Sequence, residues 1–343
     1  MDKPCGRSAA GVMIAVSIAI RLIWAVSIDC TGVFNAAWIC PIIGFVLFLP
    51  IGYAVKHISG RVPSAIRRFV FVIIALLLLV DASYNVRLIS ITANVMALGE
   101  APVWLVALPV ALLVFICTQF GVEAEGRSAR IWLISMIPLL LIMIAMQFVS
   151  YKPAWLMPIF GGGIHEIFSG GFYSAGCISM ISVVWMLCTE DTCRKSLITY
   201  VSFGAISASV ILLMLGMLSP SLVRTELSRS ARIELILSNG RTPQMLQLFM
   251  VVLWFGNLLH LLNAECCSAA EYLLKTAPKA GKRAISAFIT LAVFLIASTG
   301  MCERGQISRL YKGALYPMIG ALMMCLLIIS IFTNWRQEHA KRT

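Results

Sequence analysis

Six side chains able to carry charge or form strong hydrogen bonds interrupt stretches of the sequence that are otherwise apolar: Arg21, Asp81, Tyr84, Asn85, Asn257 and His260. Ionisable groups inside a bilayer are costly, so they face a partner, a cavity or the membrane surface. Asp81 follows the uninterrupted apolar run 69–80, which places it near mid-membrane and requires a proton or a partner from elsewhere. On a helix, Asp81, Asn85 and Thr92 share one face, with Tyr84 beside them. Arg87 lies about 240° from Asp81 and cannot pair with it along one face; it reads as an arginine snorkelling to the outer surface. Arg21 either snorkels or presents a cation to a carboxylate, on a substrate or on another helix. Asn257, His260, Ser268 and Glu271 fall within roughly 80° of one another, whereas Asn263 lies off that stripe and Glu265 is on another side. Such a stripe fits a cavity wall, and histidine is the residue type that changes charge near neutral pH. Interhelical hydrogen bonding alone also accounts for Asp81 and His260.

Enzyme chemistry finds little support. The sequence contains no His-Glu-x-x-His, no Gly-x-Ser-x-Gly, no phosphate-cradling Gly-x-x-x-x-Gly-Lys-Ser/Thr and no dinucleotide-binding glycine fingerprint. His165-Glu166 is a single pair in a glycine-rich segment. The 11 cysteines are scattered through apolar runs without metal-ligand or disulfide-framework spacing, and read as small packing residues. No metal and no organic cofactor is implied.

The elements that must position these residues follow from composition. Of 343 residues, 60% are hydrophobic and 12% charged, against about 45–50% and about 25% in soluble domains. Too few charges remain to coat a water-soluble surface, and apolar residues are too abundant for disorder. The expected class is an all-α polytopic membrane protein, a single integral membrane domain over 1–343. Ten spans are predicted near 9–28, 35–56, 68–90, 102–119, 130–149, 171–189, 197–219, 245–270, 283–300 and 313–333, each near the ~20 residues a helical crossing needs. The first follows Lys3 and Arg7 but lacks an obvious cleavage site, so it reads as a retained helix.

The formal charge of +12 is a topology signal more than a nucleic-acid footprint. With the N-terminus inside, alternating the sides places seventeen Lys and Arg residues on the cytoplasmic side and eight outside. The clusters at 67–68, 194–195 and 275–283 carry most of that bias, which puts both termini in the cytoplasm. Small residues at 202–209 permit close helix contact, and Pro50, Pro109 and Pro138 are expected to kink their spans.

Two outer connections stand out. Residues 152–171 carry five glycines in their last eleven positions, which fits either non-helical backbone lining a cavity or an outer loop with a short interfacial helix at 164–168. Residues 220–244 mix Leu222, Leu227, Ile233, Leu235 and Ile236 with Arg224, Glu226, Arg229, Arg232 and Glu234, the pattern of an amphipathic helix on the outer surface. Asn239-Gly240 ends it, and Thr242-Pro243 fits the start of the next span.

Arg21, followed by Thr31-Gly32-Val33-Phe34-Asn35-Ala36-Ala37-Trp38-Ile39, resembles the spore germination permease family, the B subunits of nutrient germinant receptors. So does Lys152 through Gly161 with its central Pro158, continuing through Ile167-Phe168-Ser169-Gly170-Gly171. The segment from Arg229 to Trp254 resembles that family's long outer loop and Trp-bearing eighth helix. The resemblance covers most of the chain in layout, through short motifs. The family lies within the amino acid/polyamine/organocation permeases. The resemblance therefore implies a LeuT-type five-plus-five inverted repeat, about 9–149 and 171–333, with broken first and sixth helices around a midplane site. The region of Gly170, Gly171, Ser174 and Gly176 would supply the sixth-helix break. The chain departs from the family in having no glycine between Gly11 and Gly32, and Cys177 where relatives often carry an acid.

The expectation is a permease-like receptor subunit, not an enzyme, that binds a small nutrient, an amino acid by resemblance. Arg21 would take the carboxylate. Asp81, Tyr84 and Asn85 with Asn257 and His260 would line the cavity or a proton path, and Gly171, Ser174 and Gly176 would approach the ligand. By resemblance, its partners are the receptor's A-type membrane subunit and C-type lipoprotein, in a cell membrane or inner spore membrane. Two alternatives stay open: a proton-coupled amino-acid transporter using Asp81 or His260, and a membrane-embedded enzyme acting on lipid or wall precursors.

Overall fold

The computed structural model describes residues 39, 40, 42–44, 46, 64–94, 101–148, 153–157, 163–169, 171, 244–299, 318, 321, 322, 325, 328, 329, 331 and 332. Among the described residues the secondary structure is helical, with no strand. Five long helices carry the architecture: α1 (Ser64–Ala93), α2 (Val103–Phe120), α3 (Val122–Phe148), α4 (Gln244–Thr276) and α5 (Lys282–Ser298). A 3-10 turn spans Pro153–Leu156, and residues 164–169 form a short helix. α1 and α2 contain apolar stretches, Ser64–Ser90 and Val103–Phe120, long enough to cross a bilayer.

These helices form because almost every position can be apolar without interrupting the backbone ladder. In hydrocarbon that ladder has no alternative partner, which enforces helix over any open structure. Several hydroxyls inside the runs satisfy themselves locally. Ser83 Oγ donates to the Leu79 carbonyl at 2.6 Å, Ser90 Oγ to Val86 at 2.9 Å and Thr118 Oγ1 to Val114 at 2.9 Å, the back-bonding expected of hydroxyls in a helix. α2 and α3 run through Pro109 and Pro138.

α4 is the central element, packing along α1 and against α2, α3 and α5, while α5 also packs on α1 and α2. Two contacts fix the direction of α1 against α4. The Phe71 and Tyr272 rings sit 4.9 Å apart, and Asn85 meets Glu265 further along α1 but earlier along α4. The helices are therefore antiparallel, as alternation requires of the predicted third and eighth crossings. The buried core follows this seam and includes Ile74, Leu78, Ala82, Val86, Leu258 and Leu262. Trp104, Leu108, Leu112, Ile116 and Phe120 of α2 stay exposed, a strip suited to acyl chains.

The predicted fifth span begins at 130, but α3 begins at Val122. The α2–α3 connection is one residue, Gly121, at φ 86° and ψ 178°. Its N–H closes α2 by donating to the Cys117 carbonyl at 3.0 Å, and its carbonyl receives the Glu125 N–H at 3.2 Å. The charged run Glu123–Arg130 resembled a loop because it is polar; it is the first two turns of α3. Glu123 and Glu125 lie in its first turn, where the helix dipole favours a carboxylate. Arg127 and Arg130 are exposed there.

A Cβ on Gly121 would stand 3.2 Å from Lys282 Nζ. Lysine tips move easily, so backbone strain dominates the cost of a side chain here. Gly121→Ala is expected to cost roughly 1–3 kcal/mol, read as a lower unfolding midpoint in detergent, while Lys282→Ala does not relieve it.

Arg87 is partly buried, and its Nη1 donates to the Ala297 carbonyl at 3.4 Å. That carbonyl belongs to the last turn of α5, where the helix leaves carbonyls unpaired. Arg87 thus caps α5.

Candidate functional site

The polar residues of α4 separate onto two flanks. At 100° per residue, His260 and Glu265 point about 140° apart around the helix. Each flank finds its partner on a different neighbour.

On the α3 flank, His260 Nδ1 lies 2.6 Å from Glu125 Oε1, with side-chain exposures of 14% and 4%. The contact is a hydrogen bond whose donor and acceptor are set by the imidazole tautomer. One turn away, Trp132 Nε1 donates to Asn257 Oδ1 at 3.0 Å, and the Trp132 and His260 rings are 5.8 Å apart and tilted by 45°. Glu125 and Trp132 are seven residues apart and share one face of α3, while Asn257 and His260 are three apart and share one face of α4. The two helices therefore present matched pairs. Gly256 lets the backbone of α4 approach, since a Cβ there would fall inside the Trp132 ring. Below this, Cys267 Sγ donates to the Cys117 carbonyl at 3.6 Å and ties α4 to α2. Lys282 Nζ and Glu271 Oε1 converge on Gly121, 3.2 and 4.0 Å from where its Cβ would be.

On the α1 flank, Asn85 Nδ2 donates to Glu265 Oε2 at 2.8 Å, wholly inside the protein. Asp81 is 1% exposed and Asn85 2% exposed; Tyr84 is partly buried beside them and packs against the core. Asp81 lies one turn before Asn85 on the same face of α1.

The structure thus joins Asn85 to Glu265 and His260 to Glu125, and places Asn257 one turn from His260. Arg21, Ser174 and Gly176 lie outside the described residues, as do the first span and nearly all of the outer amphipathic segment. Gly171 is buried, and a Cβ on it would press into Ile43 2.5 Å away. Near it, Ile167 is buried against Cys40, whose Sγ donates to the Ile167 carbonyl at 3.7 Å. The short helix at 164–169 exposes Ile164 and Phe168, as an interfacial helix does. His165 and Glu166 are exposed on it rather than enclosed in a cleft, which counts against the membrane-embedded enzyme.

Three residues of the site escape sequence reasoning. Glu125 falls between the predicted fourth and fifth spans. Trp132 carried no reason to be singled out alone. Glu265 was off the stripe and faced a helix whose position was unknown. The signal that points to the first two is the seven-residue spacing of Glu125 and Trp132, once α3 starts at Val122. Among the described residues no group of three or more His, Cys, Asp or Glu could hold a metal ion.

No protein-family model matches the chain, and no curated protein matches it by sequence. Solved structures do match by fold. Mhp1, a nucleobase-cation-symport-1 family transporter solved closed with bromovinylhydantoin bound, superposes with a TM-score of 0.60 at 15% identity, covering 92% of this chain and 76% of that one. A manganese transporter of Eremococcus coleocola, in complex with an aromatic bis-isothiourea compound, gives a TM-score of 0.40 at 13% identity, covering 96% of this chain and 76% of that one. The Mhp1 likeness shows the fold: the chain has the LeuT-type fold, and its described residues are all-helical.

Proposed function

We propose that the chain is a permease-like membrane subunit of a spore germinant receptor that binds a small nutrient, an amino acid. The observation that carries the permease part is the transporter fold over 92% of the chain, with buried Asp81, Asn85 and Glu265 lodged where α1 crosses α4. The germinant part rests on the resemblance of the 31–39 and 152–171 segments, as do the A-type and C-type partners. Arg21 binds the nutrient's carboxylate in this reading. The second reading, a proton-coupled amino-acid transporter, is favoured by one specific observation, the 2.6 Å contact between His260 and Glu125.

Liposomes containing the protein separate the two when given labelled amino acids, with labelled hydantoin as a ligand lacking a carboxylate. Saturable amino-acid binding without concentrative uptake supports the receptor. Concentrative uptake under an inward proton gradient supports the transporter, and absence of both overturns the amino-acid readings. Arg21→Ala is expected to weaken amino-acid binding roughly 10- to 100-fold, the worth of one charge-assisted bond. Unchanged affinity in a correctly inserted variant removes Arg21 as the anchor. Spores lacking the chain are expected to lose their response to the nutrient.

A further inference from the structure

We infer that Glu125 and His260 form a proton-binding site that bridges α3 and α4. The inference deepens the proton-coupled reading by assigning the site. It is tested without any solute, so its failure and the failure of that reading are told apart.

The geometry supplies the parts. Nδ1–H of a neutral His260 donates to the Glu125 carboxylate across 2.6 Å. This fixes the tautomer and leaves Nε2 to accept the proton. The proton comes from water onto Nε2; no other bond forms or breaks, and no electron is transferred. The pair's charge changes from −1 to 0. His260, 14% exposed, is the more accessible member of the pair, and Glu125, 4% exposed, is enclosed.

Few charged groups face the pair. From α3 the facing groups are Glu125 and the Trp132 indole; Arg127 and Arg130 of that helix are exposed to solvent. From α2 comes the Cys117 thiol, which Glu125 acts on, and α4 itself adds Cys267, whose thiol donates to the Cys117 carbonyl. From α5 comes Lys282, beside Gly121 with Glu271. α1 packs on the opposite flank of α4 and presents Asn85 to Glu265. Glu271 is eleven residues along α4 from His260, roughly 16 Å of helix rise, so the carboxylate at the imidazole is that of Glu125.

Proton uptake has a mechanical consequence. The imidazolium strengthens its bond to Glu125 and gains attraction to the Trp132 face 5.8 Å away. Release of the proton loosens the α3–α4 seam at that level, in a fold whose transport motions shift helix groups against one another.

Trp132 provides the readout, because a protonated imidazole quenches an adjacent indole. The chain has eight tryptophans, so the measured quantity is the fluorescence of the wild type minus that of Trp132→Phe, in detergent micelles from pH 5 to 9. The expected result is a quenching transition as pH falls, abolished in His260→Gln and moved in Glu125→Gln, where the carboxylate beside the imidazole is gone. Variants are compared after confirming a monodisperse, helical protein. His260→Asn replaces His260→Gln if the latter fails to fold, and nitrogen-15 histidine spectra replace the fluorescence difference if Trp132→Phe fails. A transition that persists without His260 overturns the site. So does the absence of any transition in the wild type, or an unmoved midpoint in Glu125→Gln.

Discussion

Gly256→Ala is expected to lower stability by roughly 2–4 kcal/mol, of which about 1–3 is the cost of overpacking a filled interface. An alanine in place of glycine inside a helix ordinarily helps, by about 0.5–1 kcal/mol. The sign reverses here because the new methyl group lands within the Trp132 ring. The indole has one escape, to swing off α4, and this breaks the Nε1–H bond to Asn257, 3.0 Å long. A second loss of about 1 kcal/mol follows. The diagnostic variant is the double one. With Trp132→Ala already in place, Gly256→Ala should become neutral or stabilising by up to about 1 kcal/mol, giving a coupling of at least roughly 2 kcal/mol in the cycle. The buried thiols Cys266 and Cys267 serve as reporters, since a thiol-reactive dye labels them only on unfolding. Equal costs of Gly256→Ala with and without Trp132 sink the explanation.

The sequence makes the spans visible and conceals how they pair. Hydrophobic runs place α1, α2, α4 and α5 to within several residues, because a helix in lipid needs only length and apolarity. The same criterion misplaces the start of α3. Glu123, Glu125 and Arg127 lower local hydropathy to that of a loop, yet the backbone is already helical from Val122. The decisive residue is Gly121, whose φ of 86° turns the chain in one step, and a lone glycine between two runs does not declare that conformation.

The candidate site was legible by residue type and illegible by partner. Asp81, Asn85, Asn257 and His260 are conspicuous because each is an expense in hydrocarbon. Periodicity put Asp81 with Asn85 and Asn257 with His260, which the structure respects. It could not give Glu125, 135 positions from His260, or Glu265, 180 positions from Asn85, since which helix faces which is a tertiary fact. Excluding Glu265 from the His260 stripe was sound geometry; what it faced on its own flank required α1. The family resemblance supplied the fold class, and it rests on short motifs largely outside the described residues.

The largest effect is expected from Asn85→Asp. The wild-type amide donates to Glu265 Oε2 at 2.8 Å with both side chains buried. Aspartate keeps the shape, removes the donor and sets a second carboxylate against the first, with Asp81 one turn away on the same face. Two carboxylates at that distance cannot both ionise, so one must take a proton. At pH 8 the loss should be about 3–5 kcal/mol, the cost of an uncompensated buried charge. The sign of its pH dependence follows from linkage. A carboxyl whose folded-state proton affinity is raised binds more protons folded than unfolded, so the protein gains stability as pH falls. Asn85→Asp should therefore recover much of its deficit at pH 5, whereas Asn85→Ala, which costs about 1–3 kcal/mol by removing one bond to a charged acceptor, should show no such recovery. Asn85→Asp combined with Glu265→Gln restores a donor opposite an acceptor with the roles exchanged, and should regain most of the wild-type midpoint at pH 8. Dye-monitored unfolding at pH 5 and pH 8 reads all four proteins. If the aspartate variant is no more sensitive to pH than the alanine variant, Asn85 and Glu265 do not form the charged seam between α1 and α4 that their geometry describes.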